Sequence, residues 1–395
     1  MRRVRFHRDP RRHRGRALLG IGAAFCMVAT MTVPASASLI PSPAATPAAK
    51  DRPGPLPVTG PDTIANASGD GYITYGASTA APRSVCGKPK RMGTVKQPKN
   101  CWVPYVVHGK GSRVGYAEKV KGDALPGGPG KWVNHNLGIW APSVVHYRGR
   151  YYMFYTASQK GSAADPEARG RKCIGVATST SARGRFHPRD TPMFCRKGGW
   201  AIDADAFVGR SNGNLYVTFR DDAATTGRET AISVVRLDTS VRKVVKRKLL
   251  LTSRAVTWEG NTDHGTHIIE NPSMIRAGDG TWWLFYSGNS WRTKKYATGI
   301  AKCGKDPISS CRPYPGPDRP YFGYVGDGGL TGAHKPIAQL PRNQKAPGGM
   351  SVFRARGHGG MRAVWNYKTF TKHSKRYSLV GRLRLQGDRW SVVPE

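Results

Sequence analysis

Acidic side chains are scarce in this chain, so the few that stand where strands begin carry much of the chemical information. Among 395 residues there are 24 Asp and Glu against 63 Lys and Arg. Three carboxylates open apolar runs: Asp62 in Gly60-Pro61-Asp62-Thr63-Ile64, Asp203 in Ala201-Ile202-Asp203-Ala204-Asp205-Ala206-Phe207, and Glu270 in Ile269-Glu270-Asn271-Pro272-Ser273-Met274. Such a set suits hydrolysis of a glycosidic bond. One carboxyl group kept protonated gives its proton to the leaving oxygen, and a second, ionised, activates water on the opposite face. A third carboxylate close to the acid raises its pKa by like-charge repulsion. The other acids have plainer readings. Asp70 and Asp279 sit in Asp-Gly turns. Asp205, Asp221 and Asp222 read as polar loop residues, and Glu259, after Trp258 and ahead of an insertion, reads as a loop residue and as the alternative acid.

The elements that must position these groups are strands. Gly and Pro number 48 and 29, ten Trp and 16 Tyr are present, and no long 3.6-residue apolar period competes. A turn feeding an apolar run recurs at Gly71-Tyr72-Ile73-Thr74-Tyr75, Gly149-Arg150-Tyr151-Tyr152-Met153-Phe154, Gly213-Asn214-Leu215-Tyr216-Val217, Gly280-Thr281-Trp282-Trp283-Leu284 and Gly360-Met361-Arg362-Ala363-Val364. Each is a hairpin signal. The copies recur about every 60 to 80 residues, the size of a four-stranded blade with long loops. The expectation is an all-β, five-bladed β-propeller over residues 59–395, in one domain and as a monomer.

The first 16 residues hold eight Arg and are followed by the apolar run Ala17 to Val33 and by Ala35-Ser36-Ala37. This pattern predicts a signal peptide over 1–37, too short in its apolar part to span a bilayer, and hence a secreted, extracellular protein with no membrane segment after cleavage. Residues 38–58, rich in Pro and Ala, are expected to form a flexible tether. Cys26 leaves with the leader. The six cysteines that remain fall in sequence-local couples, Cys86 with Cys101, Cys173 with Cys195 and Cys303 with Cys311, and in an exported protein these read as disulfides. None of the spacings gives the CxxC pattern of a zinc site.

The net charge is +39, and loss of a leader with eight Arg and one Asp leaves +32. The basic residues are spread along the chain without a zinc finger, helical motif or aromatic-spaced RNA signature, which argues against nucleic acid. An anionic cell-wall or pectic polymer suits an exported protein better, and a solvated basic surface is the plain alternative.

Four stretches then carry a resemblance. Trp140-Ala141-Pro142-Ser143-Val144-Val145-His146-Tyr147 with its following hairpin, Ile202-Asp203-Ala204-Asp205, Glu270-Asn271-Pro272-Ser273 and Ala346-Pro347-Gly348-Gly349-Met350-Ser351 resemble, in order, segments of glycoside hydrolase family 43. The resemblance runs over roughly residues 60 to 393. It implies a five-bladed propeller that hydrolyses arabinofuranosyl or xylosyl linkages with inversion, as in arabinan or arabinoxylan, using three central carboxylates. By motif, Glu270 takes the place of the general acid and Asp203 that of the residue that orients it and tunes its pKa. Asp62 matches the general base, in the order Pro61-Asp62 where the family has Asp-Pro. No cofactor is implied. The family's axial His position reads Gly349, so no metal ligand is implied there, and His334 falls outside the motif. Trp140 and Trp291 are candidate sugar-stacking walls. The alternative function is a non-catalytic carbohydrate-binding propeller associated with anionic wall polymer.

Overall fold

In the computed structural model the described residues run from Leu56 to Pro394, apart from 57, 61, 66–70, 80, 89–99, 109–118, 162–170, 226–228, 260–266, 341–343, 356–359 and 371–375. The expected signal peptide, most of the tether, and Asp70 lie outside them. Five antiparallel sheets follow one another along the chain. Blade 1 is β1 (Asp62–Ala65), β2 (Tyr72–Tyr75), β3 (Pro104–His108) and β4 (Gly122–Asp123). Blade 2 is β5 (Trp140–Tyr147), β6 (Arg150–Ser158), β7 (Lys172–Ser179) and β8 (His187–Pro188), with β9 (Phe194–Cys195) also on β7. Blade 3 is β10 (Ala201–Val208), β11 (Leu215–Asp221), β12 (Ala231–Leu237) and β13 (Val244–Thr252). Blade 4 is β14 (Ile269–Arg276), β15 (Trp282–Gly288), β16 (Ala297–Lys302) and β17 (Arg312–Tyr314). Blade 5 is β18 (Lys345–Arg354), β19 (Met361–Lys368), β20 (Arg376–Gln386) and β21 (Arg389–Pro394). This is the expected five-bladed β-propeller.

The second strand of each blade explains why the sequence folds this way. Successive side chains of a strand point to opposite faces, and here both faces are covered. In β15, Trp283 and Phe285 pack toward blade 5 with Ala363 and Trp365, while Leu284 and Tyr286 pack toward blade 3 with Ile232 and Val234. In β6, Met153 and Tyr155 join Ile73 and Tyr75 of blade 1, and Phe154 joins Val217 and Phe219 of blade 3. The apolar runs are therefore continuous, as for any strand buried on both sides. The tight turn from β5 to β6 places Arg148 and Gly149 at φ 47° and 76°, the paired positive angles of a twist-matching hairpin.

The ring closes through the N-terminal segment. Tyr72 and Val106 share a core with Phe353, Val364 and Val380, and the Tyr72 and Phe353 rings lie 5.4 Å apart. Leu56 and Val58 are buried in the same core, the Leu56 N–H donates to the Ser378 carbonyl (2.8 Å), and Ser378 Oγ donates to the Val58 carbonyl (2.8 Å). The last residues assigned to the tether thus belong to the propeller, because an apolar residue at each of these two positions is drawn into the seam between the first and last blades. Disulfides join Cys86 to Cys101, Cys173 to Cys195 across the β7–β9 pair, and Cys303 to Cys311.

At the centre, the five first strands are laced together by one contact that occurs four times and by a fifth, of another kind, that closes the ring. Asp62 Oδ2 accepts from the Val144 N–H (2.8 Å), Ser143 Oγ from the Ala206 N–H (2.9 Å), Asp205 Oδ2 from the Met274 N–H (2.9 Å), and Ser273 Oγ from the Val352 N–H (3.0 Å). Ser351 Oγ donates to Asp62 Oδ1 (2.7 Å) and completes the circuit. Two residues ahead of each belt member the backbone turns left-handed, at Gly60, Ala141, Asp203, Asn271 and Gly349, with φ between 41° and 58°. In blades 2 to 5 a register shift of the first strand accompanies this turn.

Removing one belt hydroxyl leaves a buried N–H without its acceptor. Ser273→Ala should therefore lower stability by about 1–3 kcal/mol, read as a lower urea midpoint with an unchanged slope. A midpoint equal to the parent's would show that the belt contributes nothing to closure.

Candidate active site

The left-handed turns set the geometry of the site. A positive φ at Asp203 swings its side chain out of the regular alternation of β10, and the Asp203 N–H is held by Thr156 Oγ1 (2.9 Å). Its Oδ2 accepts the N–H of Asn271 (3.3 Å), the residue in the corresponding turn of blade 4. Glu270 stands one position before that turn. Its Oε2 accepts from Arg220 Nη1 (2.9 Å) and its Oε1 from the Tyr296 hydroxyl (2.8 Å), which itself accepts from Asn271 Nδ2 (2.9 Å). Arg220 is aimed by Asp222, which takes its Nε at 2.7 Å and Nη2 at 3.1 Å in a two-pronged ion pair. Gly60, Asp62, Asp203, Asn271, Gly349 and Asn366 line one central pocket.

The electrostatics follow from burial. Desolvation, and then the charge of Glu270, push the Asp203 carboxyl up to about 7, against the pull of Arg220, the Asn271 N–H and Arg376. Asp203 therefore holds a proton up to about neutrality. Burial opposes the charge on Arg220, but Asp222 and Glu270 more than offset it and raise its pKa. Burial and the Glu270 charge raise Tyr296 well above the usual phenol range, so it remains a donor to the carboxylate. The arrangement can give a proton to an oxygen in the pocket and bind the developing charge beside a fixed cation.

Asp62 stands in the register of Asp205, two positions further along its strand than Asp203 does. It is a belt member, with one carboxylate oxygen on the Val144 N–H and the other on the Ser351 hydroxyl. In blade 1 the residue in the same register as Asp203 is Gly60, at φ 58°. The order Gly60-Pro61, parallel to Ala141-Pro142 and Asn271-Pro272, is the sequence signal for this register.

Two plain readings of acids are corrected. Asp205 is a strand residue of the belt, with its Oδ1 on Ser273 Oγ (3.2 Å), and burial followed by the Asp62 charge drives its carboxyl well up. Asp221 ends β11 fully buried, paired with Arg196 (2.6 Å) and Ser233 (2.8 Å). Asp222 begins a short helical turn and serves Arg220. Asp279 is a turn residue, accepting from the Thr281 N–H. Glu259 is fully buried beside Gly288 and Tyr286, with neither oxygen hydrogen-bonded among the described residues, and burial lifts its carboxyl to about 9. Gly349 meets Asn366 and Arg376, which would collide with a side chain there. His334 lies in an exposed turn against the Asp318 carbonyl.

The two tryptophans are exposed, Trp140 by 37% and Trp291 by 45%. Each lies under a cation: Lys172 Nζ is 4.9 Å from the Trp140 ring, and Lys368 Nζ is 4.1 Å from the Trp291 ring. Trp200, 5.3 Å from the same Lys172, joins the first pair. Arg220, Tyr296, Asn271 and Trp200 escape a search by sequence, because each is an ordinary strand or loop residue until the blades meet. The Arg220-Asp221-Asp222 run was the one visible signal, a cation with acids at its side.

The centre of this five-bladed propeller holds a buried Asp and a half-buried Glu near an arginine, groups of the kind that acid–base hydrolysis of a glycosidic bond uses. The sequence profile of glycosyl hydrolases family 43 matches residues 119–319, and the chain belongs to that family of glycosidases. Solved structures agree on the fold. A thermostable family-43 glycoside hydrolase superposes with a TM-score of 0.63 at 20% identity, over 86% of this chain and 95% of that one. An endo-1,4-beta-xylanase from Bacteroides thetaiotaomicron gives 0.60 at 19% identity over 86% and 95%. An endo-arabinase from the same organism gives 0.58 at 16% identity over 85% and 96%. No curated protein sequence matches the chain.

The raised Asp203 carboxyl has a consequence for stability. The unfolded side chain titrates near 3.8 and the folded one near 7, so the fold favours the protonated form. Its contribution is fully present below pH 4 and is lost as pH rises through 7. Asp203→Asn, which imitates the protonated group, should melt above the parent at pH 8 and close to it at pH 4. A parent whose melting advantage over the variant grows with pH would reverse the sign.

Proposed function

We propose that this protein is an exported, inverting glycosidase acting on arabinofuranosyl or xylosyl linkages of plant polysaccharide. The observation that carries it is the buried Asp203–Glu270 pair held by Arg220 and Tyr296. Glu270 is the general acid, Asp203 tunes its protonation, and Asp62 is the base. Asp62 lines the same pocket as Asp203, where the attacking water would stand. Trp140 and Trp291 present faces to sugar rings, and the partly exposed Lys368 beside the Trp291 ring favours acidic substituents there, whereas Lys172 beside Trp140 is buried against Ser158. Export rests on the leader-like first 37 residues and on the three disulfides. Among the described residues no helix is long and apolar enough to cross a membrane. The basic surface is the partner for pectic or other anionic wall polymer.

A second reading is favoured by one observation: the site-facing position of blade 1 is Gly60, without a carboxylate. On that reading the chain binds the glycan and does not hydrolyse it. Assays on nitrophenyl arabinofuranoside and xyloside, and on linear arabinan, separate the two. For the enzyme, Glu270→Gln should lose activity by 10²-fold or more on poor leaving groups and retain most of it on activated ones. Asp62→Asn should lose both, and proton NMR should show the inverted anomer. For the binder, the wild type is inactive, and Gly60→Asp should confer hydrolysis. The introduced Cβ would lie 3.5 Å from Ala77 Cβ, an ordinary contact, and Asp is among the residues that tolerate a positive φ. Full activity in Asp62→Asn would remove that residue from the mechanism.

A further inference from the structure

The belt divides the central axis, and the half away from Glu270 has a different character. A cavity of about 270 Å³ lies there, with Asp62 and Asp205 at its inner end. His146, Arg276 and Arg354 stand three residues past the belt members Ser143, Ser273 and Ser351, about 10 Å along their strands. Arg210, just beyond β10, joins them. Among the described residues none of these three arginines pairs with a carboxylate. Among the described residues Arg276 Nε is buried without a hydrogen-bond partner, and the one partner of the Arg354 guanidinium is the Arg276 carbonyl.

We propose that this mouth of the propeller binds a phosphate group, at a site separate from the glycosidic one. Three cations close enough to repel one another are costly unless an anion lies between them, and the repulsion is visible in Arg354, whose pKa falls through burial and the charges of Arg210 and Arg276. Each guanidinium offers a planar fork of donors. One fork satisfies the two oxygens of a carboxylate, whereas three forks from different blades match the several oxygens of a tetrahedral phosphate. The two acids at the inner end do not oppose this, since all their oxygens are turned to the belt, on Val144, Ser351, Ser273 and Met274. The phosphate is either the free ion or the phosphodiester of an anionic polymer, and the shared chemistry is the same.

Calorimetric titration of the full chain with inorganic phosphate, and separately with poly(glycerol phosphate), at constant ionic strength in sodium chloride, tests the site. Saturable binding, weakened at least tenfold in both Arg210→Gln and Arg354→Gln, is the expected result. Arg210 is exposed, so its replacement leaves the fold intact. Binding of the free ion alone identifies that source, and binding of the polymer alone identifies the phosphodiester. Affinity unchanged in both variants, or no binding of either probe, overturns the proposal. The readout does not use hydrolysis, so an inactive wild type bears on the enzymatic reading only.

Discussion

The structure depends on the belt that ties the five first strands to one another across the axis. Propeller blades pack by their faces, and face packing alone fixes neither the distance of each strand from the axis nor its height along it. A side-chain oxygen that accepts one backbone N–H of the next blade fixes both at once, because a hydrogen bond tolerates only a few tenths of an ångström. With Asp62, Ser143, Asp205, Ser273 and Ser351 in these places, every blade is keyed to its neighbour at the same level. The groups one or two residues ahead of the belt are thereby brought to a common height. That is how Asp203 and Glu270, 67 positions apart in sequence, come close enough to feel each other's charge.

The belt also separates two electrostatic environments. On one side, buried carboxyl groups are kept in balance by a single well-oriented guanidinium: Asp222 aims Arg220, and Arg220 holds Glu270. On the other side, arginines converge beyond Asp62 and Asp205, and among the described residues none of them pairs with a carboxylate. In a chain with so large an excess of base, placing most of its few central acids within four residues of the belt leaves the far mouth of the axis positive by default. The fold needs no additional element to create that asymmetry.

Much of the architecture was legible in the sequence, because its cause is local. The hairpins announce themselves through a turn followed by apolar residues, and the even spacing of five such units leaves room for little but a propeller. Glu270 and Asp203 were legible for a similar reason, as rare acids at the start of such runs. What escaped notice depends on register across blades. Asp205 looks like a loop residue until Ser273 and Met274 arrive from the next blade to meet it. Asp62 looks equivalent to Asp203 in the chain, yet it sits two residues further along its strand. Leu56 and Val58 carry too little pattern to be distinguished from the Pro/Ala-rich stretch before them, and are recruited only when the last blade closes against the first.

The left-handed turn ahead of the belt limits which side chains the site can carry. A positive φ is open to Gly, and among other residues chiefly to Asn and Asp, whose short polar side chains bond locally. The five turn residues are Gly60, Ala141, Asp203, Asn271 and Gly349, close to that short menu. A carboxylate placed on the turn itself is therefore an Asp, near the backbone and easily buried, which suits a group whose work is to influence another charge. A carboxylate that must reach a substrate needs a longer side chain and a relaxed backbone. Glu270, one residue before its turn, has both. The proposed division of labour, a short, buried Asp that influences a charge and a longer Glu that meets Arg220 and Tyr296, is one that this backbone angle accommodates.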